Sequence, residues 1–205
     1  SRFKTAAMET GSYIASNFKF KRRPIAIYME KSIETLISMM GTVYSGNFYV
    51  ILDIKMPAER LSLITNNLEP ELIITDGSHL SKSKEIFPET KIISIDAVPH
   101  NINNSLLSEI RNKTIDTDLL YVLYTSDSTR IPKGVAVSHK NVISYSKWVI
   151  DTFNINNETV FGNQTPFYFS MSVLDIYASL RTGAELCIIP QSLFSFPLEL
   201  LKFID

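Results

Sequence analysis

Five side chains within one short stretch could hold a polyphosphate: the hydroxyls of Thr125, Ser126, Ser128 and Thr129, and the ammonium of Lys133. They lie in Tyr124-Thr125-Ser126-Asp127-Ser128-Thr129-Arg130-Ile131-Pro132-Lys133-Gly134. An apolar run, Leu120 to Leu123, leads into this turn, and Val135-Ala136-Val137 leaves it as a second short strand. The backbone N–H groups of such a turn, with hydroxyls and one lysine around them, can surround phosphate oxygens. Two charges bear on that chemistry. Asp127 brings a negative charge to an anion site. At about 4 Å and an effective dielectric of about 20, its repulsion from one phosphate charge is about 4 kcal/mol. Arg130, three residues on, can pair with Asp127 or with a phosphate. Two readings stand on the residues alone. One is an anion site weakened by Asp127. The other is a loop tied by an Asp127–Arg130 pair that holds no nucleotide.

The elements that must position this loop read as alternating helices and strands. Residues 3–18 place Phe3, Ala6, Ala7, Ile14 and Phe18 near helical spacing. Pro24 to Met29 is a buried strand, and Ser32 can cap a helix running to about Tyr44, with Leu36, Met39, Met40 and Val43 inward. Phe48 to Leu52 is the next strand, and Pro57 suits the first turn of a helix carrying Leu61, Ile64 and Leu68. Glu71–Thr75 and Lys91–Ile95 are further strands, joined by a polar helical stretch. This alternation predicts an α/β fold with a mainly parallel sheet flanked by helices. From Ala97 to Asp118 the chain is polar and reads as a surface connection with a short helix near 106–111. A division is expected there, into a first α/β sheet unit (1–118) and a phosphate-loop unit (119–205). In the second unit Ser138 can cap a helix with Val142, Tyr145, Trp148, Val149 and Phe153. Ser172 can cap another, stopped by Gly183. Glu185–Ile189 is a strand, and a last helix covers 197–204. Trp148 reads as core packing.

Composition narrows the function. A chain of 205 residues with 45% hydrophobic content can bury a real core. Its net charge of −1 argues against a nucleic-acid or anionic-membrane surface, and Lys19, Lys21, Arg22 and Arg23 read as a solvated turn. The single cysteine, Cys187, excludes an internal disulfide framework. No apolar stretch is long enough to span a bilayer and no signal pattern opens the chain, so a soluble cytoplasmic protein is expected. His79, His100 and His139 have no ligand-like spacing, and no protein-built metal site is expected. His139 reads as a helix-start residue bonded to neighbouring backbone.

The loop resembles the phosphate-binding signature of the adenylate-forming (AMP-binding) superfamily, Tyr-Thr-Ser-Gly-Ser-Thr-Gly-x-Pro-Lys-Gly, with Asp127 and Arg130 where the family has glycine. Gly41 to Asp53 is similar to the family's second core motif, and Met56-Pro57-Ala58-Glu59-Arg60-Leu61 continues it. Phe167-Tyr168-Phe169-Ser170-Met171-Ser172-Val173 resembles the fourth, Phe-Asp-x-Ser-Val. Ser138-His139-Lys140-Asn141, Trp148 and Asn163 to Phe167 lean toward amino-acid adenylation domains, the branch of D-alanine:carrier-protein ligases and nonribosomal peptide synthetases. The likeness runs from about residue 3 to the end.

That resemblance implies a reaction in two halves: a carboxylate and ATP give an acyl-adenylate and pyrophosphate, and the acyl group passes to a phosphopantetheine thiol on a carrier protein. It implies ATP as the nucleotide, with Mg²⁺ carried on its phosphates. It places Phe167, Phe169 and Ser170 at a substrate pocket for a small carboxylic or amino acid, D-alanine among the candidates. Where amino-acid-activating relatives have an aspartate for the α-amino group, this chain has Ser170. A serine hydroxyl does not neutralise an ammonium, so an acid without an α-amine is the alternative substrate. Asp175 is the nearest acid and reads as structural. By the same resemblance the adenine, ribose and lid-lysine motifs would lie beyond Asp205, leaving no catalytic residue in this chain. The chain is therefore expected to be the front part of an adenylation domain, and a non-catalytic adenylation-like scaffold is the rival reading.

Overall fold

The computed structural model describes residues 1–124 and 132–204. Six strands build the main sheet: β1 (Pro24–Tyr28), β2 (Phe48–Ile51), β3 (Leu72–Thr75), β4 (Ile92–Ser94), β5 (Leu119–Tyr124) and β6 (Gly134–Ser138). Their spatial order is β4-β3-β1-β2-β5-β6. The first five run parallel, and β6 folds back antiparallel on β5. β1, β2 and β3 are buried along their whole lengths. That is why each reads as an unbroken apolar run rather than an alternating one. The α/β class and the mainly parallel sheet are as expected.

Helices α1 (Arg2–Asn17), α2 (Ile33–Tyr44), α3 (Ala58–Leu68), α4 (Leu80–Ile86) and α5 (Asn104–Lys113) flank the sheet. Ser32 caps α2 as expected, its hydroxyl accepting from the Thr35 N–H at 3.2 Å. Pro57 sits just before α3, at the cap. Leu61 and Ile64 on α3 pack into a core with Tyr28, Val50, Ile73 and Val122. α1 meets α2 through Thr10, Gly11, Gly41 and Thr42, all buried. A Cβ on Gly11 would lie 2.5 Å from Cβ of Tyr44, and one on Gly41 would lie 2.5 Å from Cγ2 of Thr10. The inward face of α1 is thus built as much from small polar residues as from apolar ones. Hydrophobic spacing does not reveal it.

By backbone packing the chain forms two compact units, 1–139 and 140–205. The division falls after His139 rather than after Asp118, because β5 pairs with β2 and brings β6 with it into the first sheet. The second unit holds most of α6 (His139–Phe153), then β7 (Val160–Asn163), α7 (Ser172–Thr182), β8 (Glu185–Ile188) and α8 (Pro197–Ile204). β7 and β8 pair in parallel around α7. β7 was not expected from the sequence: it is short, carries Gly162 and ends on Asn163. Gly183 stops α7 at φ +79°, the left-handed turn in which glycine has no steric penalty.

Two expectations in this unit need correction. Ser172 does not cap α7 but is its first residue, and its hydroxyl donates back to the carbonyls of Phe169 (2.7 Å) and Phe167 (3.3 Å). Trp148 is not in the core but 55% exposed, packed between Tyr145 and Phe153 at ring-centroid distances of 5.9 and 6.3 Å. The buried positions of α6 are Val142, Ser146 and Val149, and this spacing turns Tyr145 and Trp148 to another face. Among the described residues no helix is long and apolar enough to cross a membrane.

Candidate functional site

Thr125, Ser126, Asp127, Ser128, Thr129 and Arg130 lie outside the described residues. The structure does describe the stem on which they are mounted. Tyr124 ends β5 and stands opposite Gly134, the first residue of β6. Leu123 faces Val135, and Val122 faces Ala136. A side chain at 134 would meet Cγ1 of Val122 at 2.8 Å and Cζ of Tyr124 at 3.3 Å. The glycine of Pro-Lys-Gly therefore leaves room first for the Val122 side chain and then for the Tyr124 ring. Lys133, exposed, precedes it at the foot of the stem, while Pro132 is buried.

Tyr124 is also held from the side. Its hydroxyl donates to Oδ1 of Asn67 on α3 at 2.9 Å. Burial raises its phenol above the ordinary tyrosine value, which already lies well above neutral pH. Tyr124 is the carboxyl end of a parallel strand, the end at which open α/β sheets receive their ligands.

The far end of the same two strands is clamped by charge. Leu119 pairs with Ser138, and the next residue outward on each strand is joined too: the His139 N–H donates to the Asp118 carbonyl at 3.1 Å. His139 is the first residue of α6, as expected, but the bond its backbone N–H makes is to Asp118 on the paired strand rather than to neighbouring backbone. Asp118 Oδ1 accepts from Arg22 Nε at 2.7 Å, and Oδ2 accepts from the Ile115 N–H at 3.1 Å. Arg22 also donates to the Lys113 carbonyl at 3.2 Å and holds a left-handed φ of +54°. Burial pushes Asp118 up, but the Arg22 hydrogen bond, the Ile115 N–H and the neighbouring positive charges bring its carboxyl below the ordinary range.

Burial pushes His139 down, and the Asp118 carboxylate restores part of that shift. The folded protein therefore binds the imidazole proton more weakly than the unfolded chain does. Stability present above the ordinary histidine value of 6.5 is lost as pH falls from there through the lowered folded value. Denaturant midpoints should drop over that window, and His139→Asn should flatten the drop. The Asp118 contribution is lost separately, as pH falls from 3.8 downward. An H139N profile parallel to the wild type would refute the assignment.

The second unit carries the residues expected at the substrate side. Phe169 is 47% exposed and Ser170 is exposed, on the turn before α7, with the Phe169 ring against Tyr168 at 5.0 Å. Phe167 differs in being buried, at 3% exposed. Asp175, in the first turn of α7, accepts from Nδ2 of the fully buried Asn163 at 2.8 Å. That contact agrees with a structural Asp175. The Asn163–Asp175 and Asn67–Tyr124 pairs were not found in the sequence, since each joins residues of different elements with no local pattern between them.

The fold is a mainly parallel α/β sheet flanked by helices, with β6 antiparallel to β5 at one edge. The chain belongs to the AMP-binding enzyme family, whose model matches residues 3–205. The D-alanine–D-alanyl carrier protein ligase of Bacillus cereus (strain AH187) is 31% identical over 200 residues, covering 94% of this chain and 38% of its own length. The same-named ligase of Listeria welshimeri is 35% identical over 185 residues, covering 86% and 35%. Among solved structures, a fatty acid AMP ligase from Legionella pneumophila superposes with a TM-score of 0.86 at 20% identity, over 98% of this chain and 36% of its own. A four-domain nonribosomal peptide synthetase bound to AMP and glycine gives 0.83 at 21%, over 98% and 14%. These structures share the fold. The chain spans about 38% of the length of the Bacillus relatives it matches.

Proposed function

We propose that this chain is the polyphosphate-holding part of an ATP-dependent acid–thiol ligase, one that adenylates an amino acid and passes it to a carrier-protein phosphopantetheine. The observation that carries the reading is the stem. Lys133 stands exposed next to Gly134, which faces Tyr124 at the carboxyl end of a parallel strand and leaves room for the Val122 and Tyr124 side chains. In sequence, Thr125, Ser126, Ser128 and Thr129 supply four hydroxyls between Tyr124 and Lys133. When a carboxylate attacks the α-phosphorus of ATP, charge moves onto the departing pyrophosphate. Hydroxyl and ammonium donors around the phosphates would stabilise that charge. Mg²⁺ would come on the nucleotide, held by phosphate oxygens and water, so the protein need supply no carboxylate cage.

Ser170 favours a second substrate reading. It is neutral and exposed, and Asp175 is engaged by Asn163. A site of this kind suits an acid without an α-ammonium. The carrier partner and the cytoplasmic setting follow from the same family reading.

The test is displacement. ATP–Mg²⁺ bound to the chain should be displaced by pyrophosphate and not by adenosine; adenosine as the better competitor would refute a phosphate-centred site. Repeating the titration with D-alanine and with an aryl acid separates the two substrate readings, because the acid that fits should tighten ATP binding.

A further inference from the structure

We infer that Asn67 is a positioning residue for Lys133, acting through Tyr124; the inference rests on the phosphate-site reading above. Four contacts make a continuous line. Leu61 and Ile64 fix α3 in the core of the first unit, both essentially without exposed surface. The helix ends one turn later at Glu69, which adopts a left-handed φ of +50° and donates its N–H to the Thr65 carbonyl at 2.7 Å. Asn67, in that last turn, accepts the Tyr124 hydroxyl at 2.9 Å. Tyr124 stands opposite Gly134, where a Cβ would sit 3.3 Å from its Cζ and 2.8 Å from Cγ1 of Val122, and Lys133 is the residue joined to that glycine. Position is thus handed from a buried helix to the lysine by one hydrogen bond and one ring contact.

Asn67 itself is exposed. Its loss should therefore cost little stability while it frees the phenol end of Tyr124. A purely structural residue would show the reverse weighting. Asn67→Asp keeps an oxygen that can accept from the phenol, whereas Asn67→Ala and Tyr124→Phe each remove one partner of the same bond.

The experiment is calorimetric titration of ATP–Mg²⁺ into the wild-type chain, N67A, N67D, Y124F and the N67A/Y124F double variant, with a thermal melt of each. One ordinary hydrogen bond corresponds to about two- to tenfold in an equilibrium constant. N67A and Y124F should each weaken binding by that factor, and the double variant should be no worse than either. N67D should return to within about twofold, and melting temperatures should stay within about 3 °C. Unchanged binding in N67A, or additive losses in the double variant, would overturn the inference. Absence of binding by the wild type would overturn the phosphate-site reading instead. Amide exchange at Gly134, Val135 and Ala136 then decides the latch by itself: faster exchange in N67A with β1 unchanged supports it, and equal exchange overturns it.

Discussion

Replacing Gly11 by valine is expected to destabilise the first unit by about 3 kcal/mol, at the upper end of what overpacking ordinarily costs. The reason is local. A Cβ at position 11 would stand 2.5 Å from Cβ of Tyr44 and 3.0 Å from the carbonyl oxygen of Gly41. Neither atom is the far end of a flexible side chain, so relief requires α1 to move off α2. The helix propensity gained by removing a glycine, up to about 1 kcal/mol, opposes this only in part. Tyr44→Ala should give G11V no relief, because the obstructing atom is the Cβ that alanine keeps. A urea midpoint for G11V equal to that of the wild type would show that the two helices do not cross this closely.

The second large effect concerns the two charges in the loop. Asp127→Gly with Arg130→Gly is expected to tighten ATP–Mg²⁺ binding at least tenfold. Asp127 adds a negative charge where a polyphosphate would bring several more. Each such pair costs about 4 kcal/mol at ~4 Å with an effective dielectric of ~20, before screening and before any compensation by Arg130. The single variants separate the contributions: Asp127→Gly alone should gain affinity, and Arg130→Gly alone should lose it. If the double variant binds no better than the wild type, Asp127 does not oppose the phosphates.

The strands were legible because parallel strands buried on both faces read as near-continuous apolar runs. Pro24–Tyr28, Phe48–Ile51 and Leu72–Thr75 follow that rule. The end of α7 was legible because Gly183 supplies a left-handed turn. The inward face of α1 was not, since Thr10, Gly11 and Ser12 are buried through close helix approach, which apolar spacing does not encode. Trp148 misled in the opposite direction: apolar residues are not confined to the interior, and large aromatics remain on many surfaces. The motif order showed where the candidate site lies along the chain. It did not show what holds the stem, because Asn67 reaches Tyr124 from 57 residues away and Asp118 reaches Arg22 from 96. Such pairings exist only once the sheet order is known. The roles read for Thr125 to Arg130 rest on sequence and resemblance.

The central claim is that Lys133 and its stem hold the phosphates of ATP. The direct measurement is calorimetric titration of ATP–Mg²⁺ into the wild-type chain and into Lys133→Ala, with Lys140→Ala, an exposed position on α6, as the charge-matched control. The expected result is saturable binding by the wild type and by K140A, weakened at least tenfold in K133A, the loss of one charge-assisted contact. Equal affinity in K133A and the wild type, or no saturable binding by the wild type, would contradict it.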